Sequence, residues 1–188
     1  KDNSILGTYI RSFFEKCPEY VGGCGDPATA NVETVIPIDK LHQVMDEFIE
    51  MKKEVLVNNK IVDNVPNKNL GMNYTTNNYV QTVYVGTDAR LIGVGDVHGS
   101  CHSLGRNLWR WVNMNYVDRV FIGYSNTKYL FLGDIAGRGW YGVESWFFIM
   151  LFALMNKESV FVIKGNHETA FVASKHGFLT ELKKKYGD

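Results

Sequence analysis

Residues 161–168 read FVIKGNHE: an apolar run of strand character stops at Gly165 and passes directly into Asn166, His167 and Glu168. A hydrophobic core does not accept three consecutive polar side chains without partners, because each buried, unpaired polar group costs about 1–3 kcal/mol. The stretch therefore reads as a strand that carries functional groups at its end. Two others share its form, LIGVGDVHG at 91–99 and YLFLGDIAGRG at 129–139. Apolar segments at 80–86, 90–95, 118–123, 129–133 and 159–164 alternate with helical stretches at 101–116 and 142–156. Alternating strands and helices predict an α/β layered fold around a largely parallel, buried sheet.

In such sheets, functional groups collect in the loops beyond the carboxyl ends of the strands. Gly95-Asp96, Gly133-Asp134 and Gly165-Asn166 each place a metal-competent residue behind a glycine, and His98, His167 and Arg138 follow within the same loops. Asp96, His98, Asp134 and Asn166 make a set of oxygen and imidazole donors without a thiolate. That mix suits Mn²⁺, Fe or Zn²⁺ better than a Cys-rich structural zinc site. A carboxylate is able to bridge two ions, and ion pairs ~3.5–4 Å apart serve phosphate-ester hydrolysis. Arg138 offers a bidentate fork for phosphate oxygens.

GDVHG, GDIAGRG and GNHE, in this order, resemble the GDxHG, GDxxxRG and GNHE signature of the calcineurin-like metallophosphoesterases. HGFLTELKKKYG at 176–187, and Glu144 in GVES, are similar to the phosphoprotein phosphatase (Ser/Thr phosphatase-like) branch of that family. The resemblance covers roughly residues 90–188 and implies a layered β-sandwich flanked by helices. It implies two divalent metal ions, Mn²⁺ foremost, with Asp96 and His98 on the first, Asp134 bridging, and Asn166 on the second. It further implies attack by a metal-bridging hydroxide, with Arg138 and Asn166 on the substrate phosphate and His167 protonating the leaving alkoxide. The expected substrate is a phosphoprotein, with Ser/Thr phosphate favoured over Tyr. The alternatives are a nucleotide or dinucleoside-polyphosphate hydrolase of the same superfamily, or a degenerate phosphatase that binds phosphoproteins without turnover.

Two departures from the family pattern carry consequences. The family has Asp directly before the motif arginine, where it orients the GNHE histidine, and this chain has Gly137 there. The family also uses histidines and an arginine downstream, whereas this chain ends 21 positions after His167. The expectation is therefore the N-terminal half of a catalytic domain, incomplete in fold, partnered by its C-terminal half and weak or inactive alone. His176 stands where the family has no ligand. Asp96 and Asp134 lie 38 positions apart, a long interval that predicts an insertion or lengthened strand pair within 113–126.

Lys plus Arg and Asp plus Glu are equal at 20 each, so no global field attracts nucleic acid or anionic membrane. The longest apolar run, 146–155, falls short of the ~20 residues a bilayer requires and reads as a buried helix. Cys17, Cys24 and Cys101 favour a reducing compartment, with a Cys17–Cys24 disulfide as the other possibility. The expected location is the cytoplasm or, for a secreted effector, a host cytosol. The chain opens on Lys1 without a signal-peptide pattern and reads as an excised piece.

Residues 1–78 are expected to form an extension and 79–188 the catalytic half. Within the extension, 38–56 reads as an amphipathic helix on Leu41, Val44, Met45 and Phe48, with Asp39 as N-cap. An Asn-rich connection spans 58–78, and the first 30 residues carry no clear pattern. Cys101, His102, Trp109, Trp111, Trp140 and Tyr141 read chiefly as packing or surface residues, the last two also as a wall for a phosphotyrosine ring. Lys183, Lys184 and Lys185 read as a solvated helical face, and Glu168 as a buttress of its loop.

Overall fold

A computed structural model describes residues 4–19, 34–58, 74–76, 81–83 and 85–187. Helix α1 (Ile5–Lys16) starts at Ser4, whose hydroxyl accepts from the Gly7 N–H at 2.9 Å. Leu6, Ile10 and Phe13 recur at helical spacing and are fully buried, so this helix was legible in residues that showed no clear pattern. Helix α2 (Ile38–Asn58) follows the expected register, with Leu41 and Val44 buried. Met45, however, is exposed, and Asp39 lies inside the first turn rather than at the N-cap. Its carboxylate there faces the positive end of the helix dipole. A short antiparallel pair, β1 (Tyr74–Thr76) and β2 (Gln81–Val83), comes next. The expected boundary near residue 78, the 22–27 stretch and Cys24 lie outside the described residues.

The parallel sheet has the order β3–β4–β5, built from β3 (Arg90–Val94), β4 (Thr127–Phe131) and β5 (Val160–Val162). Helix α3 (Cys101–Asn113) joins the first two strands and α4 (Gly142–Met155) the last two; α5 (Ala170–Lys175) and α6 (Phe178–Tyr186) follow. Tyr129 and Phe131 of β4 are buried against Trp111 and Phe152. Leu91, Leu132 and Ile163 remain exposed. Residues 118–123 are not a strand. The Asp118 carboxylate instead accepts from the Val120 and Ile122 N–H groups and folds the segment into a turn, closed by an isolated bridge between Val117 and Gly123. The long interval between the first two motifs is spent there, with Phe121 tucked into the core.

Helix α4 is apolar around its whole circumference, which demands burial on every side. Helices α1, α2, α3 and α6 and strand β5 all pack against it, so the first two helices belong to the same core as the sheet. At its start, the side chain of Lys185 of α6 is completely buried rather than solvated. Its ammonium group lies 2.5 Å from Glu144 and 2.7 Å from Glu181, and it donates to the Trp140 carbonyl at 3.0 Å. Glu144 also accepts from the Thr34 hydroxyl at 2.6 Å, while Glu181 accepts from the Gly142 and Val143 N–H groups at the α4 N-terminus. A buried cation is tolerable only when so paired, and loss of one partner strands the others. Cys101 and His102 are likewise buried, His102 with a ring nitrogen 3.0 Å from the Cys17 carbonyl.

Burial pushes the Glu181 carboxyl up to about 7, against an ordinary value near 4.5. A folded-state pKa above the unfolded one gives stability that is complete below pH ~4.5 and lost as pH rises through 7. Glu181→Gln removes that proton linkage. The stability advantage of wild type over the variant, measured by urea unfolding, is expected to shrink from pH 5 to pH 8. An unchanged difference across that range would show that Glu181 does not titrate there.

Candidate metal centre

The parallel register sets Val94 beside Phe131 and Phe131 beside Val162, so all three motif loops leave the sheet at one edge. The ladder then continues into the loops, with Leu132 donating to the Val94 carbonyl at 2.9 Å and Ile163 to that of Phe131 at 3.0 Å. The loops bind one another directly. The Asp134 carbonyl accepts from the Val97 and His98 N–H groups at 3.0 and 2.9 Å, and the His98 carbonyl accepts from Gly139 at 3.0 Å. Glu168 ties in the third loop: its carboxylate accepts from the backbone N–H groups of Asp134, Ile135 and Gly165 at 2.8–2.9 Å. A β-carbon at Gly165 would stand 2.1 Å from an Asp134 carboxylate oxygen, so the contact admits glycine alone.

His98, Asp134 and Arg138 hold positive φ angles of 45°, 50° and 67°. This conformation costs a non-glycine residue about 1–2 kcal/mol, and it clusters where surrounding contacts enforce a functional geometry. Three of the expected site residues are thus held in unusual backbone states by the bonds between their loops.

The ligand atoms of His98, Asp134 and His167 all lie within 4.8 Å of one another. Asp134 Oδ1 accepts from the His167 N–H at 2.9 Å. One end of the Asn166 amide lies 2.8 and 3.2 Å from the two Asp134 oxygens. With nitrogen at that end, the amide donates to both; with oxygen there, acceptors face each other and only a cation between them reconciles the contact. Asp96 is exposed, its Oδ2 3.5 Å from His98 Nε2. Arg138 is exposed on a cavity of about 370 Å³ that Val97, His98, Trp140 and Glu19 also line. The structure therefore converges His98, Asp134, Asn166 and His167, sets Asp96 beside His98, and leaves Arg138 on the adjoining wall.

His98 Nδ1 and both ring nitrogens of His167 are buried without a hydrogen-bond partner among the described residues. Unsatisfied buried nitrogens are costly, and here they surround a carboxylate and an amide oxygen. This donor set fits a divalent cation. Burial, and next the neighbouring His98, lower the His167 pKa and favour its neutral ring. Gly137 has φ +81°, and a β-carbon added to it would come 2.6 Å from His167 Nδ1. The position where the family pattern has Asp thus abuts the imidazole with bare backbone.

Two neighbours of the site were not anticipated. The His176 ring lies 5.0 Å from that of His167, and the His176 carbonyl accepts from the Arg138 N–H at 2.8 Å. Glu19 reaches the cavity wall from beyond α1, a placement made by tertiary packing and unmarked by any local pattern. Trp140 and Tyr141 are buried, and the Tyr141 hydroxyl donates to the Pro18 carbonyl at 2.7 Å. Packing is thus their main role, although Trp140 touches the cavity.

Residues 89–188 match the family described as calcineurin-like phosphoesterase. The PP2A-like serine/threonine-protein phosphatase PPG1 of Candida albicans is 39% identical over 95 residues, which is 50% of this chain and 20% of that protein. The serine/threonine-protein phosphatase 4 catalytic subunit of Saccharomyces cerevisiae is 33% identical over 94 residues, 50% of this chain and 27% of its own length. The chain thus spans about a quarter or less of these relatives. A solved Saccharomyces cerevisiae serine/threonine phosphatase, described as similar to human phosphatase PP5, aligns with 82% of this chain and 40% of its own at a TM-score of 0.52 and 20% identity. That likeness supports the metallophosphoesterase fold, an α/β arrangement with a parallel sheet flanked by helices. With the family match extending over more than half its residues, this chain belongs to the calcineurin-like phosphoesterases.

Proposed function

We propose that the chain carries part of the active centre of a metal-dependent phosphoprotein phosphatase acting on Ser/Thr phosphate. The carrying observation is the meeting of His98, Asp134, Asn166 and His167 from separate strand ends around orphaned imidazole nitrogens. The serine/threonine phosphatase relatives support the substrate class. Asp96 and His98 would hold one ion, Asn166 a second, with Asp134 shared between them; Mn²⁺ suits these oxygen and nitrogen donors. Such ions, when bound, polarise phosphate oxygens and lower the pKa of bound water.

The remaining work belongs to side chains. Arg138, exposed at its tip and fixed at its backbone by the His176 carbonyl, grips phosphate oxygens with its guanidinium fork. His167 stands next to Asp134 and transfers a proton to the leaving alkoxide. Because Gly137 offers no carboxylate, nothing at that position stabilises a charged His167 ring, and the protonated ring that this transfer needs is less populated than in the family pattern. The three cysteines without a CxxC pair support action in a reducing cytosol.

In the full-length protein with Mn²⁺, Asp134→Asn is expected to lower phosphate release from a phosphoserine peptide by at least ~100-fold. A variant as fast as wild type would remove Asp134 from the centre. Glu168→Ala deprives three N–H groups of their charged acceptor, each such bond being worth about 1.5–3 kcal/mol. Urea unfolding is expected to show a loss of about 3 kcal/mol or more, and a loss under 1 kcal/mol would contradict the buttress role.

A further inference from the structure

On the outer side of α1 and α3 lies a groove of about 590 Å³ lined by Arg11, Phe14, Glu15, Arg106, Trp109 and Arg110. Its volume falls in the range that accommodates a small ligand or a few side chains. Three arginines stand against two glutamates, Glu15 and the Glu19 that pairs with Arg106, a local positive excess in a protein whose overall charge is zero. The aromatic walls are fixed: Phe14 lies under the Arg106 guanidinium at 5.8 Å, and Trp109 packs edge-on to Phe121 at 4.9 Å. Arg106 is paired through both terminal nitrogens with Glu19, and Glu19 lines the cavity of Arg138 and His98. One exposed ion pair therefore forms the partition between this groove and the candidate metal centre.

We infer that this groove is a docking site for an acidic peptide segment carrying an aromatic side chain. Guanidinium groups recognise carboxylates with directed, forked hydrogen bonds, and an aromatic ring between Trp109 and Phe14 gains stacking and cation–π contact with the arginines. Glu15 and Glu19 on the rim oppose a nucleic acid backbone, which presents a negative charge at every residue. A peptide places its carboxylates selectively. Under the phosphatase reading the segment is the flank of the substrate, running from the phosphorylated residue across the Glu19–Arg106 partition into the groove. Docking itself requires no turnover, so its failure and the failure of the phosphatase reading are separate outcomes.

The test is fluorescence anisotropy of the full-length protein with a fluorescein-labelled, unphosphorylated heptapeptide of Glu and Asp around one central Tyr. Its Gln/Asn counterpart and a single-stranded RNA heptamer serve as comparisons. The acidic peptide is expected to bind at least tenfold more tightly than either, with affinity falling as salt rises. Arg110→Glu, on the exposed face of α3, is expected to weaken it a further tenfold and to improve binding of the Lys-substituted peptide. Equal binding of acidic and neutral peptides in wild type, tighter binding of the RNA, or no effect of a folded Arg110→Glu variant would each overturn the inference.

Discussion

The centre depends on the way Asp134 is held. Its carbonyl accepts from the Val97 and His98 N–H groups, its own N–H is bound by Glu168, and its carboxylate receives the His167 N–H. One residue at positive φ thereby receives bonds from both other motif loops. Moving it would break the connection between all three strand ends at once. The glycine at 165 is the steric condition for this, since any side chain there would occupy the place of the Asp134 carboxylate.

The loops are rigid because the elements behind them are. Strand β4 lies between its two parallel neighbours, and its Tyr129 and Phe131 are fixed by rings from α3 and α4. Helix α4 leaves directly from the arginine motif, and its N-terminus is closed by the Glu181 carboxylate. The buried Lys185 then joins that carboxylate to Glu144 and to the Trp140 carbonyl two residues after Arg138. The Glu144 of GVES thus has a structural part in the centre: it helps neutralise the cation that pins α6 beside the loop carrying Arg138.

What the sequence made legible was whatever local chemistry announces. A glycine and then a metal-competent polar residue behind each apolar strand marked the three loops, and the glycine at 165 marked a close approach. Periodicity marked α2, and an unbroken apolar run marked α4. Leu6, Ile10 and Phe13 carried the same signal for α1, but in a stretch whose glycine-rich continuation obscured it. Residues 118–123 have the composition of a strand, yet the side chain of Asp118 takes the local N–H groups and turns the chain. Lys185 could not be placed from its neighbours, because its burial arises from Glu144 and Trp140, some forty positions away. The position of Glu19 beside the cavity is of the same kind.

Gly137 gives this centre its individual character. It leaves the His167 ring nitrogens without a hydrogen-bond partner among the described residues and closely backed by bare main chain, so the imidazole is packed between the His98 and His176 rings rather than held by a carboxylate behind it. The most direct test of the centre itself is anomalous diffraction from crystals of the full-length protein equilibrated with Mn²⁺. Anomalous density bonded to Asp134 and His98, with a second peak about 3.5–4 Å away sharing Asp134, is the predicted result. Ordered Mn²⁺ elsewhere on the protein, with no density at Asp134, would contradict the assignment of a metal centre to these three strand ends.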